Sequence, residues 1–262
     1  MTPAAKITKL YANGDSSTYG HGLSEQGWRE DWGDDPRNHV YALAHSWPSI
    51  MAREHGWEYV NHAAPGGSND RIVRTTIAHI CSNDTKDTMV IIGWTNPLRR
   101  EVHCMDHPTS KNPNDPNTCY RKLMPAWHGM SDIPGSDKWL EQIQRYGWDE
   151  VESHVRYFNQ VLLLSSFLEQ RNIPYLFFNY LARPLSWTQS PDRTEYERKM
   201  TGTLCDSVDW TKFVSQDGNT DRWLDRLIHT AGMMMPCAHP NQQGHQLIAA
   251  ELQAELRLRH MI

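Results

Sequence analysis

"LYANGDSSTYGHGL", residues 10–23, opens as an apolar run and breaks at Gly14 into a segment of Asp, Ser, Thr, Gly and His. The apolar half predicts a β-strand, and the break after it admits two readings. Asp, Ser and Thr satisfy the free backbone N–H groups at helix starts, which would make the segment a capped strand-to-helix loop. The other reading makes one serine a nucleophile held at the end of a sheet. The stretch alone does not separate them, so the rest of the chain has to.

Working outward, "KITKLYAN" reads as the first strand and "HSWPSIMAREHG" as a helix that ends at Gly56 with basic residues in its last turn. "EYVNHAA" reads as a second strand. "SNDRIVRTTIAHICSN" sets Ile72, Thr76 or Ile77, and Ile80 on one side, an amphipathic helix capped by Ser68 or Asn69. "TMVIIGW" is a short β-branched run, as expected of a strand buried on both faces. From residue 99 to 147 no period survives, and the segment reads as an inserted, loop-rich flap. "WDEVESHVRYFNQVLLLSSFLEQRN" restores a long helix, Pro174 opens the strand "YLFFNYL", and after an irregular stretch two helices, "TDRWLDRLIHTAG" and "QQGHQLIAAELQAELRLRHM", close the chain. Alternating strands and helices with apolar strands predict a three-layer α/β/α sandwich around a flavodoxin-like parallel sheet of about five strands. We expect residues 1–262 to form one domain.

Composition narrows the function classes. The net charge of −5, with acids and bases mixed along the chain, offers no basic stripe for nucleic acid. The longest apolar stretches fall short of the roughly 18 residues that span a membrane, and "MTPAAKITKL" lacks the apolar core of a signal peptide, so no membrane partner and a cytoplasmic location are expected. Five cysteines without CxxC spacing argue for free thiols in a reducing compartment, with a Cys104–Cys119 loop pair as the other option. His103, Cys104, His107 and Cys119 match none of the common zinc spacings, and no metal or organic cofactor is expected.

In a parallel sheet, ligands bind beyond the carboxyl ends of the strands. The polar clusters lie there: "GDSS" after the first strand, "PGGSND" after the second, "GWTNPLRRE" after the third, and "CAHPNQQGH" before the last helix. In order and content these four blocks resemble the SGNH, or GDSL-type, hydrolases, including GDSL-like hydrolases found in some tailed phage genomes. The resemblance spans the chain apart from the insert. It implies a serine esterase acting through an acyl-enzyme, with Ser16 as nucleophile and His239 as its base. It also implies an oxyanion hole made by the backbone N–H groups of Ser16 and Gly66, with Gly67 a one-residue register alternative.

Two departures from the family pattern stand out. The third block carries Gly93-Trp94-Thr95-Asn96 where the family reads Gly-x-Asn-Asp, so strict register makes Thr95 the side-chain oxyanion donor and a shifted loop makes it Asn96. The family Asp three residues before the histidine is replaced by Pro236. Either a backbone carbonyl orients His239, giving a dyad, or Asp221 or Asp225 completes a triad. Asp15 is expected to brace the nucleophile loop.

Softer expectations concern the rim. Arg99 and Arg100 either bind a substrate anion or form surface ion pairs, and Trp94, Trp127 and Trp139 either stack on sugar rings or fill the core. His245 reads as part of the last helix's first turn. The substrate expected is a small acyl ester, with carbohydrate O-acetyl esters foremost. The alternatives are a lipid or thioester acylhydrolase and a degenerate glycan-binding module. Oligomeric state is left open.

Overall fold

The computed structural model describes residues 6–25, 36–103, 120–123, 149–215 and 219–262. Four strands, β1 (Lys9–Asn13), β2 (Glu58–Asn61), β3 (Thr88–Trp94) and β6 (Tyr175–Asn179), form a parallel sheet in the order β2-β1-β3-β6. The expected fifth strand is reduced to one parallel bridge, Phe213 opposite Phe177, with the Val214 N–H donating to the Phe177 carbonyl. Only Phe213 and Val214 are apolar there, and the polar SQDGNT run that follows has nothing to bury against a sheet face.

Side-chain alternation along each strand explains the layers. Leu10, Ala12, Met89, Ile91, Leu176 and Phe178 face α3 (Trp47–His55), α8 (Trp223–Thr230) and α9 (Gln242–Leu258). Tyr11, Val90, Ile92, Trp94, Tyr175 and Phe177 face α4 (Asn69–Ser82), α5 (Glu150–Gln170) and α7 (Glu195–Ser207). All seven residues of β3 are buried, as a central strand covered on both sides requires. Truncating one of them, such as Ile91, to Ala would cost about 2–5 kcal/mol. The remaining helices are α1 (Ser16–Tyr19), α2 (Pro36–His45) and α6 (Pro184–Thr188), with a 3-10 turn at Trp210–Lys212.

Two expectations need correction here. The stretch read as irregular after Pro184 contains α7, started by a capping box in which Thr194 and Glu197 bond each other's backbone N–H. The segment read as an inserted, loop-rich flap contains an antiparallel pair, β4 (Arg100–His103) with β5 (Tyr120–Leu123). The rest of that segment, with Cys104, His107, Cys119, Trp127 and Trp139, lies outside the described residues. No helix among those described is long and apolar enough to cross a membrane.

From β1 the chain moves to β2 on one side and to β3 on the other, so the strand order reverses at β1. A crevice opens at the carboxyl ends of strands where order reverses, and the GDSS and GWTN blocks sit at those ends.

Candidate active site

Gly14 ends β1 because nothing larger fits: a Cβ there would lie 2.4 Å from Thr18 Oγ1. Asp15 then caps α1, its Oδ1 accepting from the Ser17 N–H at 3.0 Å. The carboxylate is 1% exposed, and its Oδ2 accepts from the Thr95 hydroxyl at 2.6 Å and from Arg99 Nη1 at 2.9 Å. Arg99 also donates to Thr95 Oγ1. Asn69 clamps the same loop from α4, accepting from the Thr95 N–H and donating to the Thr95 carbonyl. Ser16 is thereby held in the first turn of α1 by a buried web of polar bonds.

His239 comes from the other end of the chain, on a turn before α9. Within it the Met235 N–H donates to the His239 carbonyl, the Ala238 N–H to Met235, and the Asn241 N–H to Met233. Ala238 adopts the left-handed region at φ 58°. This folds the Cys237 carbonyl back onto His239 Nδ1 at 2.8 Å. A carbonyl only accepts, so Nδ1 carries the proton and Nε2 keeps its lone pair. Nε2 lies 2.8 Å from Ser16 Oγ. Burial lowers the His239 pKa; the Asp15 charge and the Cys237 bond push it back up, and Arg99 lowers it. The His21 ring covers this imidazole edge-on at 4.7 Å.

Gly66 sits at φ 68°, a conformation that favours glycine, and its N–H has no hydrogen bond among the described residues. The Gly67 N–H is spent on the Ala64 carbonyl at 2.9 Å. Ser16 N–H is likewise unbonded. Of the two glycines, Gly66 is therefore the one with a donor to offer.

Several expected site residues take other roles. Thr95 is fully buried and its single hydroxyl proton goes to Asp15, so it has none left for an oxyanion. Asn96 is half-buried; its Oδ1 accepts from the Leu98 N–H, and its amide N–H₂ is not bonded among the described residues. Trp94 is fully buried against Tyr157 and Phe177, since the strand's alternation turns it into the helical layer. Arg99 is not a surface charge: it is largely buried and pairs with Asp15. Arg100 pairs with Glu152. Asp221 accepts from the Leu185 and Ser186 N–H groups, and Asp225 pairs with Arg222, so neither bonds His239. His245 lies in the first turn of α9, fully buried, where its Nδ1 accepts from the Trp47 N–H.

Sequence reading missed Asn69 as a clamp, having weighed it only as a cap; the cap is Ser68. It also missed a cavity of about 380 Å³ beyond β3 and β6, lined by Asn96, Leu98, His154, Arg183, Trp187 and Arg222 among others. Among the described residues no group of three His, Cys, Asp or Glu side chains is arranged to hold a metal.

A family model described as "Family of unknown function (DUF6071)" matches residues 28–262, a span that includes Gly66 and His239 and begins after Ser16. No curated protein sequence matches the chain. Among solved structures, the chain is similar to a psychrotrophic esterase, EstA, from Pseudoalteromonas sp., at 10% identity and TM-score 0.49, over 97% of this chain and 100% of that one. It is similar to a G-D-S-L family lipolytic protein from Veillonella parvula at 11% identity and TM-score 0.45, over 95% and 97%. It is also similar to Axe2, an acetylxylan esterase from Geobacillus stearothermophilus, at 15% identity and TM-score 0.46, over 96% and 95%.

Proposed function

For a chain that belongs to the family of unknown function DUF6071, we propose the activity of a serine esterase working through a Ser16–His239 dyad and an acyl-enzyme. The observation that carries the reading is the pair of 2.8 Å contacts of the His239 ring, Nε2 to Ser16 Oγ and Nδ1 to the Cys237 carbonyl. The first makes a base for the hydroxyl, and the second fixes the tautomer in which that base has its lone pair.

In the first half-reaction Ser16 Oγ attacks the ester carbonyl carbon while its proton passes to His239 Nε2. The tetrahedral intermediate then expels the alcohol, which takes that proton from Nε2. Water attacks the acyl-serine by the same route, releasing the carboxylic acid and restoring the Ser16 hydroxyl. The developing oxyanion is received by the Ser16 and Gly66 N–H groups, with the Asn96 amide as the third donor in place of Thr95. Losing one such donor typically costs on the order of a hundredfold in rate.

The lowered pKa of His239 suits a base that must be neutral in its resting state. Asp15 supplies the negative charge that the missing triad acid would otherwise bring, through space rather than through a bond to the ring. The substrate in this reading is a small acyl ester, with O-acetyl groups on carbohydrate foremost. Labelling with a fluorophosphonate serine probe tests it. Wild type should label and Ser16→Ala should not; a folded wild type that fails to label overturns the reading.

A further inference from the structure

The cavity beyond β3 and β6 carries a charge that nothing in the described structure balances. Its acid, Glu150, is taken up by Arg193, which pairs with it at 2.5 Å, and by the Trp187 indole N–H. Its Arg222 is held by Asp225. Arg183 caps the N-terminal end of α6, its carbonyl accepting from the Trp187 N–H, and its exposed guanidinium has no hydrogen bond or ion pair among the described residues. The aromatic faces among the residues that line the cavity with it are occupied. Trp187 is sandwiched between the His154 ring, stacked at 3.9 Å, and the Arg193 guanidinium, 4.4 Å from the indole centroid. That sandwich leaves no indole face for a sugar ring, so recognition here falls to polar groups. His154 gives its Nδ1 proton to the Glu150 carbonyl, and burial pushes its pKa down to about 4, so the ring adds no charge near neutral pH.

The cavity is also within reach of the dyad. Asn96 lines it and directly follows Thr95, which bonds Asp15 beside the nucleophile. Neighbouring strands lie about 4.8 Å apart, so the end of β6 stands roughly 10 Å from the end of β1, a span that one sugar-sized group bridges. A volume of about 380 Å³ suits a group of that size.

We propose that this cavity is the alcohol-side subsite of the esterase and that Arg183 there recognises a carboxylate on the alcohol part of the ester. The inference rests on the esterase reading for its place in the reaction, but not for the binding itself. Guanidinium groups meet carboxylates in a planar, two-bond geometry that a neutral hydroxyl does not reproduce. Leu185 and Ser186, which follow Arg183, donate their N–H groups to the buried Asp221, so the loop that carries the arginine is fixed.

Binding is measured by calorimetry with methyl glucuronoside and with its neutral twin, methyl glucoside, on Ser16→Ala, which cannot turn over an ester. The glucuronoside should bind at least tenfold more tightly than the glucoside, Arg183→Gln should abolish the difference, and Arg183→Glu should reverse it. Thermal unfolding of each variant confirms that it is folded. Equal affinity for the two glycosides, or a preference that survives Arg183→Gln, overturns the proposal whether or not the protein is an esterase. In wild type, the ratio of kcat/KM for 4-acetoxybenzoate over 4-acetoxybenzamide should exceed one and collapse towards one in Arg183→Gln. If both esters are hydrolysed at an unchanged ratio the subsite is wrong and the dyad right. If the glycosides discriminate but neither ester is cleaved, the subsite stands and the esterase reading falls.

Discussion

The two sides of the site are held by different kinds of bond. On the nucleophile side, a 1%-exposed carboxylate, a guanidinium and a hydroxyl lock the loop through side chains, and Asn69 clamps it from a helix. On the base side, the turn from Met233 to Asn241 is held chiefly by main-chain bonds, with Pro236 and Ala238 exposed and Ala238 in a left-handed conformation. On the proposed reading, the difference means that a missing acid need not leave a missing function. A carbonyl presented by a tight turn orients an imidazole as a carboxylate does, while the compensating negative charge sits on the opposite wall as Asp15. It also means that the two sides should fail differently.

The largest effect is expected where both sides meet. His239→Ala removes the base and should lower kcat for a small acetyl ester by about 10⁴–10⁶-fold with the fold intact, read by steady-state kinetics beside circular dichroism. On the nucleophile side the failure should be structural as well. Arg99→Ala leaves Asp15 buried and unpaired, and urea unfolding should show a loss of about 3–5 kcal/mol. The double variant Arg99→Met with Asp15→Asn, which removes both charges, should recover most of that stability without recovering activity.

Acid should act on the whole fold instead, through buried histidines on both faces of the sheet. Burial holds His245 at about 3 and His154 at about 4, both below the ordinary histidine value. The unfolded chain therefore binds more protons than the folded one between about pH 4 and 6.5, and stability falls as pH is lowered through that window. A loss of several kcal/mol is expected, read from urea midpoints across pH. The sign is fixed: a stability that rose on acidification would contradict neutral, buried rings. The smallest effect belongs to the turn itself. Ala238→Gly relieves a left-handed alanine and should stabilise by about 1 kcal/mol, a rise of about 2–4 °C in Tm.

How much of this was legible in the sequence differs between the same two regions. The strands announced themselves, since Thr88–Trp94 is an uninterrupted buried run and Lys9–Asn13 ends at a glycine that sterics require. The GDS and HPN blocks pointed to Ser16 and His239 through the resemblance of four ordered blocks to the SGNH hydrolases, which no single block carries alone. Thr95 was misassigned for a physical reason: strand register fixes which residue occupies a position, but not which neighbour takes its proton. Arg99 was misjudged because the burial of its partner, Asp15, is set by packing that no local pattern displays. The Cys237 carbonyl carries no side-chain signature at all. By contrast, α7 was missed although its signal was local, for Thr194 and Glu197 form the capping spacing at its start. Arg183 and Trp187 lie too far along the chain from the GDSS and GWTN blocks for spacing to connect them.

The central claim is that a main-chain carbonyl, not a carboxylate, orients the base for Ser16. Second-order rates of fluorophosphonate labelling measured in parallel for wild type, His239→Ala, Asp221→Asn and Asp225→Asn test it directly. The account predicts that labelling collapses in His239→Ala and stays within about threefold of wild type in both aspartate variants, whereas loss of a triad acid costs about 10⁴-fold. A collapse of that size in a folded Asp221→Asn or Asp225→Asn protein would contradict it.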